Sequence, residues 1–266
     1  MKRALIVSFA LFLAAFAIPL LTAGQQPAAG DTNPSPAEQT SPAPSPPPEA
    51  PTPAAEETPL SGNTEPPITD TVIPILHDGG IRQIPLRDYL YGALTAEMPP
   101  LYPEEALKAQ AVAIRTLVCY ASEHPYHGEA WLCSDPECCL AYAPLEDNRA
   151  SWGDEYDTYA AIARAAVDST DGEVIAYLGE PIEAVFFSAS PGGKTRSAAE
   201  VWGAEVPYLQ SVDSPFDDDF PGGAHGHGVG MSQFGARQLA LDGMTYKEIL
   251  LWYYTGVEVV EEPPPG

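Results

Sequence analysis

The sequence predicts an α+β fold in which helices pack with antiparallel hairpins around one core, and three observations predict it. Short apolar runs flank glycine-containing turns twice, at Val72 to Leu76 and Ile81 to Ile84 around Asp78-Gly79-Gly80, and at Glu173 to Tyr177 and Ile182 to Ser188 around Gly179-Glu180. That is the pattern of hairpins. Other segments carry apolar residues at helical spacing. The two kinds of element come in blocks rather than in regular strand–helix alternation, which argues against a parallel βαβ sheet.

The folding unit is shorter than the chain. Of 266 residues, the first stretch opens Met1-Lys2-Arg3 and runs uncharged from Ala4 to Leu21. Such a stretch reads as an export segment, residues 1–24, and its length favours an uncleaved membrane anchor over a cleaved leader with a secreted product. The positive end stays cytoplasmic, so everything after Gly24 is expected outside the membrane. From Pro27 to Pro67 there are 13 prolines, and no aromatic residue occurs between Ala17 and Leu76. Residues 25–70 therefore cannot bury enough apolar area to offset ordering entropy, and read as a disordered spacer. A folded domain is expected over 71–260, with a frayed, Pro-rich tail at 261–266.

Within that domain a helix is expected from Leu86 to Met98, stopped by Pro99-Pro100. The clearest helix follows: Pro103 suits a first turn, Glu104 and Glu105 favour its N-terminus, and Ala106, Leu107, Gln110, Ala111, Ile114, Leu117, Val118 and Ala121 recur at 3.6-residue spacing. A loop rich in Cys, Asp and Glu spans Pro125 to Gly153, before a helix from Glu155 to Ser169. The second hairpin follows, then a polar loop, a strand at Tyr208 to Val212, and two short helices, Met231 to Leu241 and Tyr246 to Tyr254.

The net charge is −25, which excludes a protein that grips nucleic acid through its phosphates, because no basic face is available to displace counterions. Four places are suited to chemistry. Glu97 is the one acid in Leu94-Thr95-Ala96-Glu97-Met98-Pro99-Pro100; apolar neighbours raise a carboxyl's pKa, as a general acid near neutral pH requires, although a surface Glu at a helix end is the plainer reading. His127, Cys133 and Cys139 follow a His-x5-Cys-x5-Cys spacing in a loop that also holds Cys138. Thiolates and imidazole select zinc, but four cysteines in an exported chain equally suggest a disulfide. Gly226-His227-Gly228-Val229-Gly230-Met231-Ser232-Gln233 sets one imidazole among glycines before a helix, which suits either close approach to a ligand or a tight turn. The loop from Ser188 to Thr195 offers hydroxyls without the G-x-S-x-G arrangement of a serine nucleophile.

Taken in order, these blocks resemble the stage II sporulation protein D family. Tyr89-Leu90-Tyr91-Gly92 through Ala96-Glu97-Met98-Pro99, Glu105-Ala106-Leu107-Lys108-Ala109-Gln110-Ala111-Val112-Ala113-Ile114-Arg115-Thr116, Thr170-Asp171-Gly172-Glu173-Val174, Val201-Trp202-Gly203 and Gly226-His227-Gly228-Val229-Gly230-Met231-Ser232-Gln233 are similar to its motifs, across residues 72–257. The resemblance implies a lytic transglycosylase that cleaves peptidoglycan glycan strands, preferentially those stripped of stem peptides, anchored in the membrane during engulfment in sporulation, with two lobes flanking a saccharide groove. It implies that Glu97 is the catalytic acid/base and that His127, Cys133 and Cys139 hold a structural zinc, which moves zinc above a disulfide. It departs at Leu140 and Ala141-Tyr142, where the family usually has Gln-x-Tyr.

On that reading His227, Ser232 and Gln233 bind saccharide hydroxyl and acetamido groups, joined by Ser188 and Tyr142, with Arg115 a further candidate to assist. Some relatives of the family are enhancers of a cell-wall amidase. The expected partners are therefore glycan strands and, in the rival reading, such an amidase, with the membrane engaged through the N-terminal segment. Eight acids and one base lie between Glu129 and Asp157, so charge is expected to favour denuded strands over anionic ones with intact peptides.

Overall fold

The computed structural model describes residues 71–261. The expected anchor, the spacer and the tail from residue 262 lie outside the described residues, and among those described no helix is long and apolar enough to cross a membrane.

The first hairpin forms as the sequence predicts: β1 (Val72–His77) pairs antiparallel with β2 (Gly80–Pro85), Ile73 opposite Ile84 and Ile75 opposite Arg82. Its turn needs Gly79 at φ +76°, a conformation that glycine adopts without steric cost. The chain then enters α1 (Leu86–Glu97). This helix ends where predicted, because the prolines at 99 and 100 cannot continue it, and the Met98 N–H closes it on Leu94 O at 2.9 Å. α2 (Glu104–Glu123) is the 20-residue helix around which the domain is built. Lys108 Nζ pairs with Glu104 (2.6 Å) and Glu105 (3.0 Å) across its first turns.

The buried side chains form two clusters on different faces of α2. One gathers Leu107, Ala111, Ile114, Leu117, Val118 and Ala121 with α1, β1 and the later helix α4 (Tyr156–Asp168). The other gathers Ala109, Val112 and Ala113 with Ile175, Met231, Ile249, Leu250 and Tyr253. Small residues on both faces let neighbours approach closely, and this produces two lobes that share one helix. Arg115, 3% exposed, donates to Val167 O (3.0 Å) and Glu173 O (3.1 Å), and Thr116 Oγ1 accepts from the Ile175 N–H (2.9 Å). These polar ties fasten α2 to the turn after α4, so Arg115 is committed to the fold.

The acidic loop has little regular structure. β3 (Leu132–Cys133) adds to β1 in parallel, with Ile75 opposite Leu132 and Leu76 opposite Cys133, and α3 (Arg149–Trp152) is a single turn. The second hairpin is shorter than predicted. β4 (Glu173–Tyr177) pairs with β5 (Glu180–Pro181) only, because Phe186–Phe187, which is β6, leaves to pair in parallel with β7 (Met231–Ser232). The free edge of β4 is taken by β8 (Glu258–Glu261), antiparallel, with Val174 opposite Val260.

Two further differences have local causes. The segment Tyr208 to Val212 is not a strand: its Leu209 N–H turns back to Val206 O (3.0 Å), and the Val212 N–H is taken by Thr195 Oγ1 (2.8 Å). A short helix, α5 (Ala198–Trp202), precedes it, started by a capping box between Ser197 and Glu200. The last two helices are α6 (Gln233–Leu241), which begins after the β7 bridge rather than at Met231, and α7 (Tyr246–Tyr253), capped by Thr245 and Glu248.

Candidate active site and metal centre

Glu97 stands at the last turn of α1, where the two lobes meet. Its Oε1 accepts the Ala141 N–H at 2.6 Å and its Oε2 accepts from Gln233 Nε2 at 3.0 Å. The first donor comes from the acidic loop, the second from the first residue of α6. Burial pushes the Glu97 pKa above the usual carboxylate range, and the two hydrogen bonds, Ala141 then Gln233, offset part of that rise by favouring the ionised form. The residue keeps some exposed surface, and each carboxyl oxygen retains a second lone pair. The arrangement is thus a carboxyl able to hold a proton, in reach of a ligand, with donors already placed for its conjugate base.

Ala141 is delivered to Glu97 by a closely packed wall. Tyr142, 9% exposed, stacks on Tyr89 (centroids 4.9 Å) and meets His77 edge-on (5.3 Å). Gly92 makes this possible, since a Cβ there would overlap the Ala143 carbonyl oxygen and sit 2.7 Å from the Tyr142 ring. Burial, with Glu146, Asp88 and Asp147 nearby, pushes the Tyr142 hydroxyl up to about 12, so it stays protonated at neutral pH. Tyr89 is fully buried beneath, and its hydroxyl has no hydrogen-bond partner among the described residues.

The same loop gathers His127, Cys133, Cys138 and Cys139, whose ligand atoms all lie within 4.8 Å of one another. Each is placed by backbone hydrogen bonds. Cys133 sits in β3, His127 forms a bridge with Ala130, and a turn at Asp135 presents Cys138 and Cys139, whose N–H groups both bond Asp135 O at 3.0 Å. His127 Nε2 is 3.3 Å from Cys139 Sγ and 3.5 Å from Cys138 Sγ. A tetrahedral zinc site has N–S edges of about 3.6 Å, given its bond lengths, so three thiols and one imidazole at these separations fit the group. Burial pushes the Cys139 thiol up to about 12, and hydrogen bonding with Cys133 raises Cys138; a bound cation reverses that preference. Cys133, Cys138 and Cys139 are not joined in a disulfide. Cys138 is the ligand candidate that the His-x5-Cys-x5-Cys spacing leaves out, although its adjacency to Cys139 was visible.

The remaining residues singled out from the sequence divide. Gln233, 7% exposed, reaches Glu97 as described. Ser232 is fully buried: its hydroxyl donates to Asp217 Oδ1 (2.6 Å) and accepts the Gly235 N–H (3.0 Å), which caps α6. Its bonds are therefore made inside the protein. Ser188 meets α6 through its backbone, its carbonyl accepting the Phe234 N–H at 3.0 Å. His227 accepts the Val229 N–H on Nδ1 (3.0 Å) and lies between Phe187 and the half-exposed Trp202, with ring centroids 5.8 and 5.3 Å away. Burial lowers its pKa, so the ring is neutral at pH 7. Asp217, 2% exposed, is a residue that sequence reasoning missed, because the run Asp217-Asp218-Asp219 reads as a solvated acidic turn.

Residues 78–177, which include Glu97 and all four cluster residues, match the family model described as Stage II sporulation protein. Stage II sporulation protein D of Bacillus subtilis (strain 168) is 28% identical over 264 residues, covering 68% of this chain and 76% of that protein. The protein of the same name from Bacillus amyloliquefaciens is 28% identical over 263 residues, with the same coverage. The amidase enhancer of Bacillus subtilis (strain 168) is 35% identical over 120 residues, which is 45% of this chain and 14% of that longer protein.

Proposed function

The chain belongs to the stage II sporulation protein D family, and from that premise we propose that it is a lytic transglycosylase of the sporulation cell wall, cleaving peptidoglycan glycan strands outside the cytoplasmic membrane. The observation that carries the reading is Glu97: one carboxyl of raised pKa, bonded from both lobes. Hydrolytic glycosidases ordinarily use two carboxyl groups, one to protonate the leaving oxygen and one to activate water or attack. A lytic transglycosylase needs one, because the nucleophile is the substrate's own C6 hydroxyl. Protonated Glu97 donates to the oxygen between N-acetylmuramic acid and N-acetylglucosamine as the C1–O bond breaks. The carboxylate so formed takes the C6 hydroxyl proton as the C6 oxygen bonds C1, giving the 1,6-anhydro end and a restored acid. Ala141 and Gln233 stabilise the carboxylate between the two steps, and intramolecular attack gains from proximity.

His127, Cys133, Cys138 and Cys139 would hold a structural zinc; when bound, it cross-links the loop that presents Ala141. His227 and Trp202 would offer ring faces to the saccharide, and Tyr142 would wall the groove. Residues 1–24 would tether the domain to the membrane through the spacer, or direct its secretion. The similarity to the amidase enhancer favours one second reading, in which the domain grips glycan and recruits a cell-wall amidase without cutting. Mass spectrometry of purified denuded strands after incubation separates these. Anhydro ends are expected; new reducing ends mean a hydrolase, and unchanged strands favour the recruiting role.

A further inference from the structure

We propose that Asp217 is a positioning residue for Glu97, acting through Ser232 and Gln233. The inference rests on the reading of Glu97 as the acid/base. Asp217 lies far from Glu97 in sequence and shares no bond with it, yet its carboxylate joins the two strips of chain that flank Gln233. Oδ1 accepts the Ser232 hydroxyl at 2.6 Å; Oδ2 accepts the Ser190 N–H at 2.9 Å and faces the Ser190 hydroxyl at the same distance. The Ser232 hydroxyl and the Ser190 N–H are neutral donors, and the Ser190 hydroxyl has a closer acceptor in Lys194 O, at 2.6 Å. The nearby Lys194 pairs with Asp213 instead, at 3.1 Å. A carboxylate buried without a cation costs several kcal/mol unless its hydrogen bonds are good, so packing alone gives no reason to keep an acid here.

What the acid secures is the first turn of α6. Ser232 is its N-cap, and with its hydroxyl proton committed to Asp217, the oxygen is oriented to accept the Gly235 N–H. The Phe234 N–H is held by Ser188 O, two residues before the Ser190 that Asp217 also grips. Gln233 springs from between these ties. There is no slack beneath: a Cβ at Gly235 would lie 2.6 Å from Ser214 Oγ and 3.2 Å from Asp217 Oδ1. A glutamine side chain has three rotatable bonds, and its 3.0 Å bond to Glu97 is made reliably only if the helix start is fixed, since small displacements of catalytic geometry cost up to about 10²-fold.

The test uses Asp217→Asn in the full chain, which keeps the shape but replaces one acceptor oxygen with a donor. We expect kcat on denuded strands to fall about tenfold with KM within about twofold. The side-chain amide resonances of isotope-labelled Gln233 should shift towards their positions in Glu97→Gln. In a Gln233→Ala background, Asp217→Asn should add less than about a twofold further loss. Ser232→Ala, which loses a cap but no core, should reproduce the kcat loss and the resonance shift if the Asn variant fails to fold. A folded Asp217→Asn with unmoved Gln233 resonances, or losses that simply multiply with Gln233→Ala, overturns the proposal. If the wild type leaves glycan uncut, the transglycosylase reading fails, and the Gln233 resonances alone then decide whether Asp217 positions that side chain.

Discussion

Glu97 takes one hydrogen bond from each of two regions that are built on different principles. Ala141 comes from the long loop after α2, which has a two-residue strand and a single helical turn and gathers His127 with three thiols. Gln233 comes from α6, whose start is held by Ser232, Ser188 and a buried carboxylate, over a core of Met231, Leu239, Ile249 and Tyr253. The loop places a backbone N–H through buried side chains, Leu132, Leu140, Tyr142 and Leu145, with the His/Cys cluster beside them, which on the proposed reading zinc would cross-link. The helix places a flexible side chain using hydrogen bonds made within the protein. On the proposed reading, Glu97 thus sits between one wall that a bound metal would stiffen and one held by hydrogen bonds within the protein.

The largest expected effect is that of removing the proposed zinc. Chelation, or Cys133→Ser, is expected to lower glycan cleavage by on the order of 10²-fold, since the Ala141 donor loses its placement. Amide hydrogen exchange should rise across residues 125–143 while α6 keeps its protection; equal loosening of both would show that the walls are not independent. Next in size, Gly92→Ala and Gly235→Ala should each cost about 1–3 kcal/mol by overpacking, measured by denaturant unfolding. Gly92→Ala pushes on Ala143 and Tyr142 and should also weaken metal binding, whereas Gly235→Ala pushes on Ser214 and Tyr253 and should leave it unchanged.

A smaller effect concerns pH. The raised pKa of Glu97 means that the folded state holds this proton more tightly than the unfolded chain does. Its contribution to stability is full below the ordinary carboxylate range and is lost as pH rises through the raised value. Glu97→Gln should therefore gain in melting temperature relative to wild type as pH increases from 4 to 8, and the cleavage rate of the wild type should fall on the alkaline side as the acid form is lost. The smallest expected effect is electrostatic: moderate added salt should narrow the preference for denuded over peptide-bearing strands by about twofold, because the acids of the loop are screened.

Much of this was legible in the sequence where signals are local. The hairpin at Asp78-Gly79-Gly80, the helix stopped by Pro99-Pro100, and the alanine-rich α2 follow from spacing and punctuation, and Glu97 stood out as a lone acid in an apolar run. What the sequence concealed is non-local or ambiguous. The pairing of Phe186–Phe187 with Met231–Ser232 is two residues long, too short to leave a period, yet it sets Ser188 beside α6. The capping box at Ser197 and Glu200 is a local signal for the start of α5, whereas the apolar run Tyr208 to Val212 carries no signal of the turn it makes. Asp217 is hidden by its two exposed acidic neighbours, because composition cannot tell which of three aspartates turns inward. Ser232 reads as a polar ligand group in its glycine-rich context, while the fold uses it as a cap.

On the proposed mechanism a single carboxyl, Glu97, performs both proton transfers of strand cleavage. Glu97→Gln tests it most directly, since the amide keeps the shape and can still meet a ligand but cannot give and retake the proton. Incubated with purified denuded glycan strands, this variant should bind them with affinity close to that of the wild type while forming no anhydro-ended product above background, a loss of at least about 10³-fold. Anhydro ends formed by the variant at a rate near that of the wild type would show that Glu97 is not the acid/base.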